Sequence, residues 1–235
     1  MALVDNIVSY WKMDEASGNR ADSAGSNTLT ANGTGGVGAA TGKINDAADF
    51  ESGDSDYLSI TDAAQTGLDI LGNFTLSLWI KPESLSGSAS PGLITKLTAG
   101  TGYAFVLDWS STPAWKPTWV RQDSSTTLQG TSSPSVGNWT FYVITYDGTN
   151  MRLYIDGTLD AGPTAYTIHA NSGADFNIAR SVLYTTRLYD GLVDEVGVWS
   201  RALTAGEVTS LYNGGAGFAY PFSSTVTTGN FFALM

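Results

Sequence analysis

Residues 189–215 read YDGLVDEVGVWSRALTAGEVTSLYNGG, a strand that runs at once into a short helix. Alternation along 192–199 puts Leu192, Asp194, Val196 and Val198 on one face and Val193, Glu195, Gly197 and Trp199 on the other. Both faces are largely apolar, which predicts a strand inside a packed sheet. Asp194 is the exception on its face, and a carboxylate there requires a cation or several donors to offset desolvation. Thr204 followed three residues later by Glu207 matches a helix capping box. Val208, Leu211 and Tyr212 then give the helix one apolar face, and Gly214 and Gly215 stop it.

Upstream, short alternating runs recur between turn signals. The clearest is 73–82, with Phe74, Leu76, Leu78 and Ile80 on one face, Thr75, Ser77, Trp79 and Lys81 on the other, and Pro82 as the stop. Residues 7–13, 43–50, 57–60, 103–109, 139–146, 151–155 and 176–179 read as further strands. The pair 139–146 and 151–155 forms a hairpin. Residues 32–42, rich in Gly, Ala and Thr, read as a loop, and 51–56 reads as a solvated acidic hairpin tip. Many short strands at near-regular spacing predict an all-β sandwich.

Composition narrows the function classes. A chain of 235 residues is long enough for one large β-domain with a self-sufficient core. The formal net charge of −11 argues against nucleic acid and anionic membranes as partners. Cysteine is absent, which excludes disulfides and thiol chemistry. The first residues show no basic n-region and no long apolar run, so neither a signal peptide nor a membrane span is expected. His169 is the one histidine and lacks a partner motif; no nucleophile elbow, HExxH or phosphate loop occurs. Asp194 and Glu195 are adjacent, so regular alternation points them to opposite faces, where they cannot flank one glycosidic bond. A non-enzymatic chain is the expectation.

The chain resembles the laminin-G-like family of concanavalin-A-like jelly rolls. The motifs that carry this are Trp11, Met13, Asp14, Glu15, Ser17 and Gly18, then Asp22, Ser23 and Gly25 with Asn27 one position late. Phe74, Thr75, Ser77, Trp79, Lys81 and Pro82 continue the match, as do Asp194, Glu195 and Val196, then Arg201, Ala202 and Leu203, then Leu211, Tyr212 and Asn213. The resemblance spans about residues 8–215 and implies an antiparallel two-sheet jelly-roll sandwich with one short C-terminal helix. It also implies a structural Ca2+ held by Asp22, Asn27 and Asp194. The competing reading has Asp22 in an Asx-turn and Asp194 paired with Arg201.

For a ligand, the segment 109–121 places Trp109, Trp115 and Trp119 near prolines with Arg121 beside them, a pattern suited to stacking sugar rings. Trp109 and Trp119 have a competing reading as core-facing strand residues. Residues 1–215 form the sandwich domain, and 216–235 form an aromatic tail expected to dock on its own domain or on a neighbour. An acidic, cysteine-free module with such a tail resembles virion surface or decoration proteins. The expected setting is therefore extracellular or on a virion surface. Its partners are glycans or other subunits of a particle or fibre, with homo-oligomers formed through the tail. The alternatives are a free carbohydrate-binding module with structural calcium and, last, a glycan hydrolase.

Overall fold

Branched and aromatic side chains at alternate positions give most strands one face for the core and one for other duties. The structure is a computed structural model, and it describes residues 1–86, 90–98, 101–111, 113–120, 128–168, 173–181 and 187–223. The strands are Ile7–Trp11 (β1), Thr30–Asn32 (β2), Gly38–Thr41 (β3), Asp46–Phe50 (β4), Tyr57–Ile60 (β5), Phe74–Pro82 (β6), Gly92–Thr98 (β7), Thr101–Asp108 (β8), Lys116–Val120 (β9), Leu128–Gln129 (β10), Thr140–Tyr146 (β11), Asn150–Ile155 (β12), Thr158–Ala165 (β13), Phe176–Ile178 (β14) and Gly191–Trp199 (β15). One helix, Ala205–Tyr212 (α1), follows. The first sheet runs β13-β12-β11-β6-β15-β4-β3, with β1 also on β15. The second runs β10-β9-β8-β7-β14-β5-β2, and every pairing is antiparallel. This is the expected jelly-roll sandwich.

The core lies between the sheets. Phe74, Leu76, Leu78 and Ile80 of β6 meet Val193, Val196 and Val198 of β15 and Phe105, Leu107, Phe176 and Ile178 of the second sheet. Each such side chain contributes about 1.5–3 kcal/mol on burial. A second cluster covers the outer face of the first sheet: Tyr10, Trp79, Phe141, Tyr154 and Trp199 lie under Val208 and Leu211 of α1. The capping box forms as read, with the Thr204 hydroxyl accepting the Glu207 N–H at 3.3 Å and the Glu207 carboxylate accepting the Thr204 N–H at 2.8 Å. Burial opposes ionisation of Glu207. Hydrogen bonds from Arg201 and Thr204 outweigh it and hold the carboxyl at about 2. The helix ends on Asn213 in the left-handed conformation, with Gly214 and Gly215 continuing the turn.

The tail docks in cis as far as it is described. Gly217 is buried, the Tyr220 ring stacks on Tyr10 at 5.2 Å, and Phe222 meets Tyr10 edge-on at 5.2 Å and Trp199 at 6.3 Å. Residues 224–235, where docking onto a neighbour was also expected, lie outside the described residues.

Three departures from the sequence reading have physical causes. Residues 38–41, expected as loop, form β3, because main-chain pairing with β4 needs no side-chain alternation. Residues 158–165, unassigned by pattern, form the edge strand β13, where Pro163 is tolerated. The third is a β-bulge in β15: Asp194 pairs with Trp79 and Gly197 with Ser77, so Glu195 and Val196 together oppose Leu78. Asp194 therefore lies on the opposite face from Val196 and Val198, not in line with them.

Phe222→Ala should lower the unfolding free energy by about 1–2 kcal/mol without changing the denaturant slope, read from urea titrations. Truncation after residue 215 should cost more, because it uncovers Tyr10 and Trp199 together.

Candidate functional site

Two places in the fold gather polar chemistry. The first follows from the bulge. Glu195 adopts φ 50, left-handed backbone that costs a non-glycine residue about 1–2 kcal/mol. That turn brings its carboxylate round to the outer face, where Oε2 accepts the Tyr10 hydroxyl. Asp194 is fully buried on the same face, and its Oδ2 accepts the Lys43 and Ile44 N–H groups at 2.8 and 2.9 Å. Gly42 makes the approach possible, since a Cβ there would lie 2.8 Å from Asp194 Oδ2 and 2.4 Å from the Asp46 carbonyl. The expectation that these two carboxylates point apart is thus overturned. Burial, more than any neighbour, pushes Asp194 up to about 8. Burial likewise raises Glu195 to about 7, with Asp14 adding to the rise and the Tyr10 hydroxyl and Lys12 opposing it.

Of the residues that the resemblance assigns to calcium, Asp22 and Asn27 spend side-chain oxygens on backbone N–H groups. Asp22 Oδ1 accepts the N–H groups of Tyr10, Ala24 and Gly25, and Oδ2 accepts that of Asn27. This is the Asx-turn reading, extended to clamp β1. The Asn27 carbonyl accepts the Thr66 N–H at 2.7 Å, and its amide donates to Ser9 Oγ and the Thr66 carbonyl. Both side chains are turn organisers, their oxygens taken by the backbone. Asp194 does not pair with Arg201, which grips Glu207 and the Ala2 and Asp5 carbonyls. Asp194 Oδ1 and Asp14 Oδ1 are both buried without a hydrogen-bond partner among the described residues. Asp14 was passed over in the sequence because it reads as part of a polar turn.

The second place is a cleft of about 200 Å³ lined by Ser52, Ser84, Leu85, Ser86, Pro91, Trp115, Leu188 and Asp190. Trp115 is half-buried and sits at φ 71. Its turn is held by the Trp115 N–H to the Asp108 carbonyl at 2.7 Å and by the Lys116 N–H to Ser111 Oγ at 3.1 Å. Ser52 Oγ donates to Asp190 Oδ2 at 2.6 Å. The other tryptophans separate from it. Trp119 is a core residue, stacked on Phe74 and on Tyr103, each at 5.3 Å, so its expected place at the sugar platform is overturned. The core wins because Trp119 pairs with inward-facing Phe105. Trp109 is 40% exposed and lies outside the cleft lining. Arg121 and His169 fall outside the described residues.

Beside the cleft, the acidic turn is more than a solvated tip. Oxygens of Asp49, Glu51 and Glu83 lie within 4.8 Å of one another. Desolvation first, then mutual repulsion that includes Asp190, raises all three carboxyls, with Lys81 offsetting part of the rise at Glu83.

A family profile described as the concanavalin A-like lectin/glucanases superfamily matches residues 52–209. The chain belongs to that superfamily. No curated protein sequence matches it. Among solved structures, it is similar to domain 4 of AbnA, a GH43 extracellular arabinanase from Geobacillus stearothermophilus solved in complex with arabinotriose. The TM-score is 0.67 and the identity 22%, over 87% of this chain and 97% of that one. It is also similar to the binding domain of Paraclostridial Mosquitocidal Protein 1 (TM-score 0.70, 17% identity, 90% of this chain and 53% of that one). A third is the binding domain of botulinum neurotoxin serotype G (TM-score 0.66, 17% identity, 88% and 50%). The chain thus spans about half of those toxin binding domains. At these identities the likeness establishes the fold.

For this lectin-like chain the buried pair sets a pH signature. Carboxyls that ionise near 4 when unfolded and near 7–8 when folded keep protons in the native state that the unfolded chain releases. In EDTA, stability should therefore fall as pH rises from about 4 to about 8. Asp194→Asn should flatten that slope in urea midpoints measured at pH 5 and pH 8.

Proposed function

We propose that this chain is a non-catalytic glycan-binding module whose ligand site is the Trp115 cleft. One observation carries the reading: a half-buried indole, fixed by a left-handed backbone, beside the hydroxyls of Ser52, Ser84 and Ser86 and the carboxylate of Asp190. A sugar offers an apolar C–H face for the ring and hydroxyls for the polar neighbours. The superfamily and the arabinotriose-bound fold neighbour support this class of ligand.

Burial of the adjacent pair Asp194 and Glu195 supports the non-catalytic reading. Asp194 and Glu195 are buried carboxylates whose pKa values are pushed up, and Tyr10, which donates to Glu195, is covered by Tyr220 and Phe222. Their burial keeps a glycosidic bond away from them. We further propose that calcium is held by Asp194 and Asp14, where it would neutralise buried charge and brace β1 against β15. The cis-docked segment up to residue 223 supports a self-contained module over a subunit anchored by its tail. The setting proposed is extracellular or on a virion surface, where glycans are met.

Trp115→Ala should weaken binding to a glycan-array hit at least tenfold, about 1.4 kcal/mol, by calorimetry. Trp109→Ala should leave affinity unchanged. Because Trp115 also touches the core, Ser84→Ala serves as a second variant that keeps the packing. Equal affinity for wild type, Trp115→Ala and Ser84→Ala would move the ligand site elsewhere.

A further inference from the structure

The cleft carries a charge pattern that bears on which glycans it admits. Asp190 lines it and is held by Ser52, another lining residue. Glu83 immediately precedes the lining residue Ser84 and donates its N–H to the Asp190 carbonyl at 3.1 Å. Asp49 and Glu51 join Glu83 in the carboxylate set whose oxygens lie within 4.8 Å. Asp190 acts electrostatically on all three. Asp190 is thus the lining carboxylate, and a cluster of three more carboxylates lies beside the cleft and is repelled by it. Among the described residues, Lys81 offsets part of the rise at Glu83. The lining itself contains no Lys or Arg among the described residues.

We infer, resting on the glycan reading of this cleft, that it selects by charge: it takes uncharged or amine-bearing sugars and rejects those carrying carboxylate or sulfate. A neutral sugar hydroxyl can donate to Asp190 and accept from the serines. A uronate, sialyl or sulfate group would instead add a like charge next to Asp190 and the carboxylates beside it. Like charges at such range cost more in a partly buried cleft than in open solvent. The arrangement therefore discriminates through repulsion as well as attraction.

The test is a glycan array of neutral, amino, uronate, sialylated and sulfated members, followed by calorimetry on matched neutral and acidic pairs. At about 20 mM salt the acidic partner of each pair should bind at least tenfold more weakly, and at about 500 mM the gap should narrow. An Asp49→Asn, Glu83→Gln double variant should narrow it at low salt while leaving neutral affinity within about twofold. Acidic members that bind as well as their neutral partners, in a Trp115-dependent way, overturn charge selection and leave the cleft reading standing. Binding by no glycan at all, or binding indifferent to Trp115 and Ser84, removes both.

Discussion

The bulge at Glu195 and Val196 is the constraint on which the centre of the molecule depends. β15 lies between β6 and β4, with β1 on its far half, and among the described residues no other strand pairs with as many strands of the first sheet. A regular strand would have driven Asp194 or Glu195 into the apolar core, since alternate residues face opposite ways. The extra residue lets Val193, Val196 and Val198 all face inward while both carboxylates stay on the outer side. The left-handed backbone at Glu195 is the local cost of keeping the core dry.

That same displacement explains why the outer face is built as it is. Two buried acids need donors and cover, and they receive the Lys43 and Ile44 amides, the Tyr10 hydroxyl and the aromatic layer of Trp79, Tyr220 and Phe222. Lys43 reaches Asp194 through its backbone N–H, while its ammonium lies over the Trp79 ring at 4.5 Å. The cleft proposed for ligand lies apart from this layer, among loops at the ends of β6, β8 and β15.

Much of the scaffold was legible because its signals are local. The alternation of 74–82, the Thr204–Glu207 box and the turn at Asp156 and Gly157, both at positive φ, each depend on residues a few positions apart. The bulge was not legible: Glu195 carries no glycine to announce a left-handed residue, and the strand reads as unbroken alternation. Strand β3 lacked a pattern because its pairing is purely main-chain. Of the site, Asp194 and Trp115 stood out in the sequence, one as a charge among valines and the other as a ring between prolines. Ser52, Ser84, Asp190 and Asp14 did not, because short polar loop residues look alike until folding brings distant loops together. Trp119 and Asn27 misled for the converse reason: chemistry suited to a ligand was consumed by the core and by a turn.

The two ends of β15 have different company. Asp190, just before its first residue, belongs to the cleft. At the other end, Trp199 donates its indole N–H to the Leu3 carbonyl, Arg201 holds the Ala2 and Asp5 carbonyls, and Phe222 stacks on Trp199. Nine residues of strand separate them, roughly 26–30 Å at the usual rise. Anything joined at the first residues, or leading on from Phe222, would attach at the pole remote from Trp115. A tether there would hold the cleft outward, and many copies on one support could engage a glycan-coated surface together, multiplying weak single contacts into avidity.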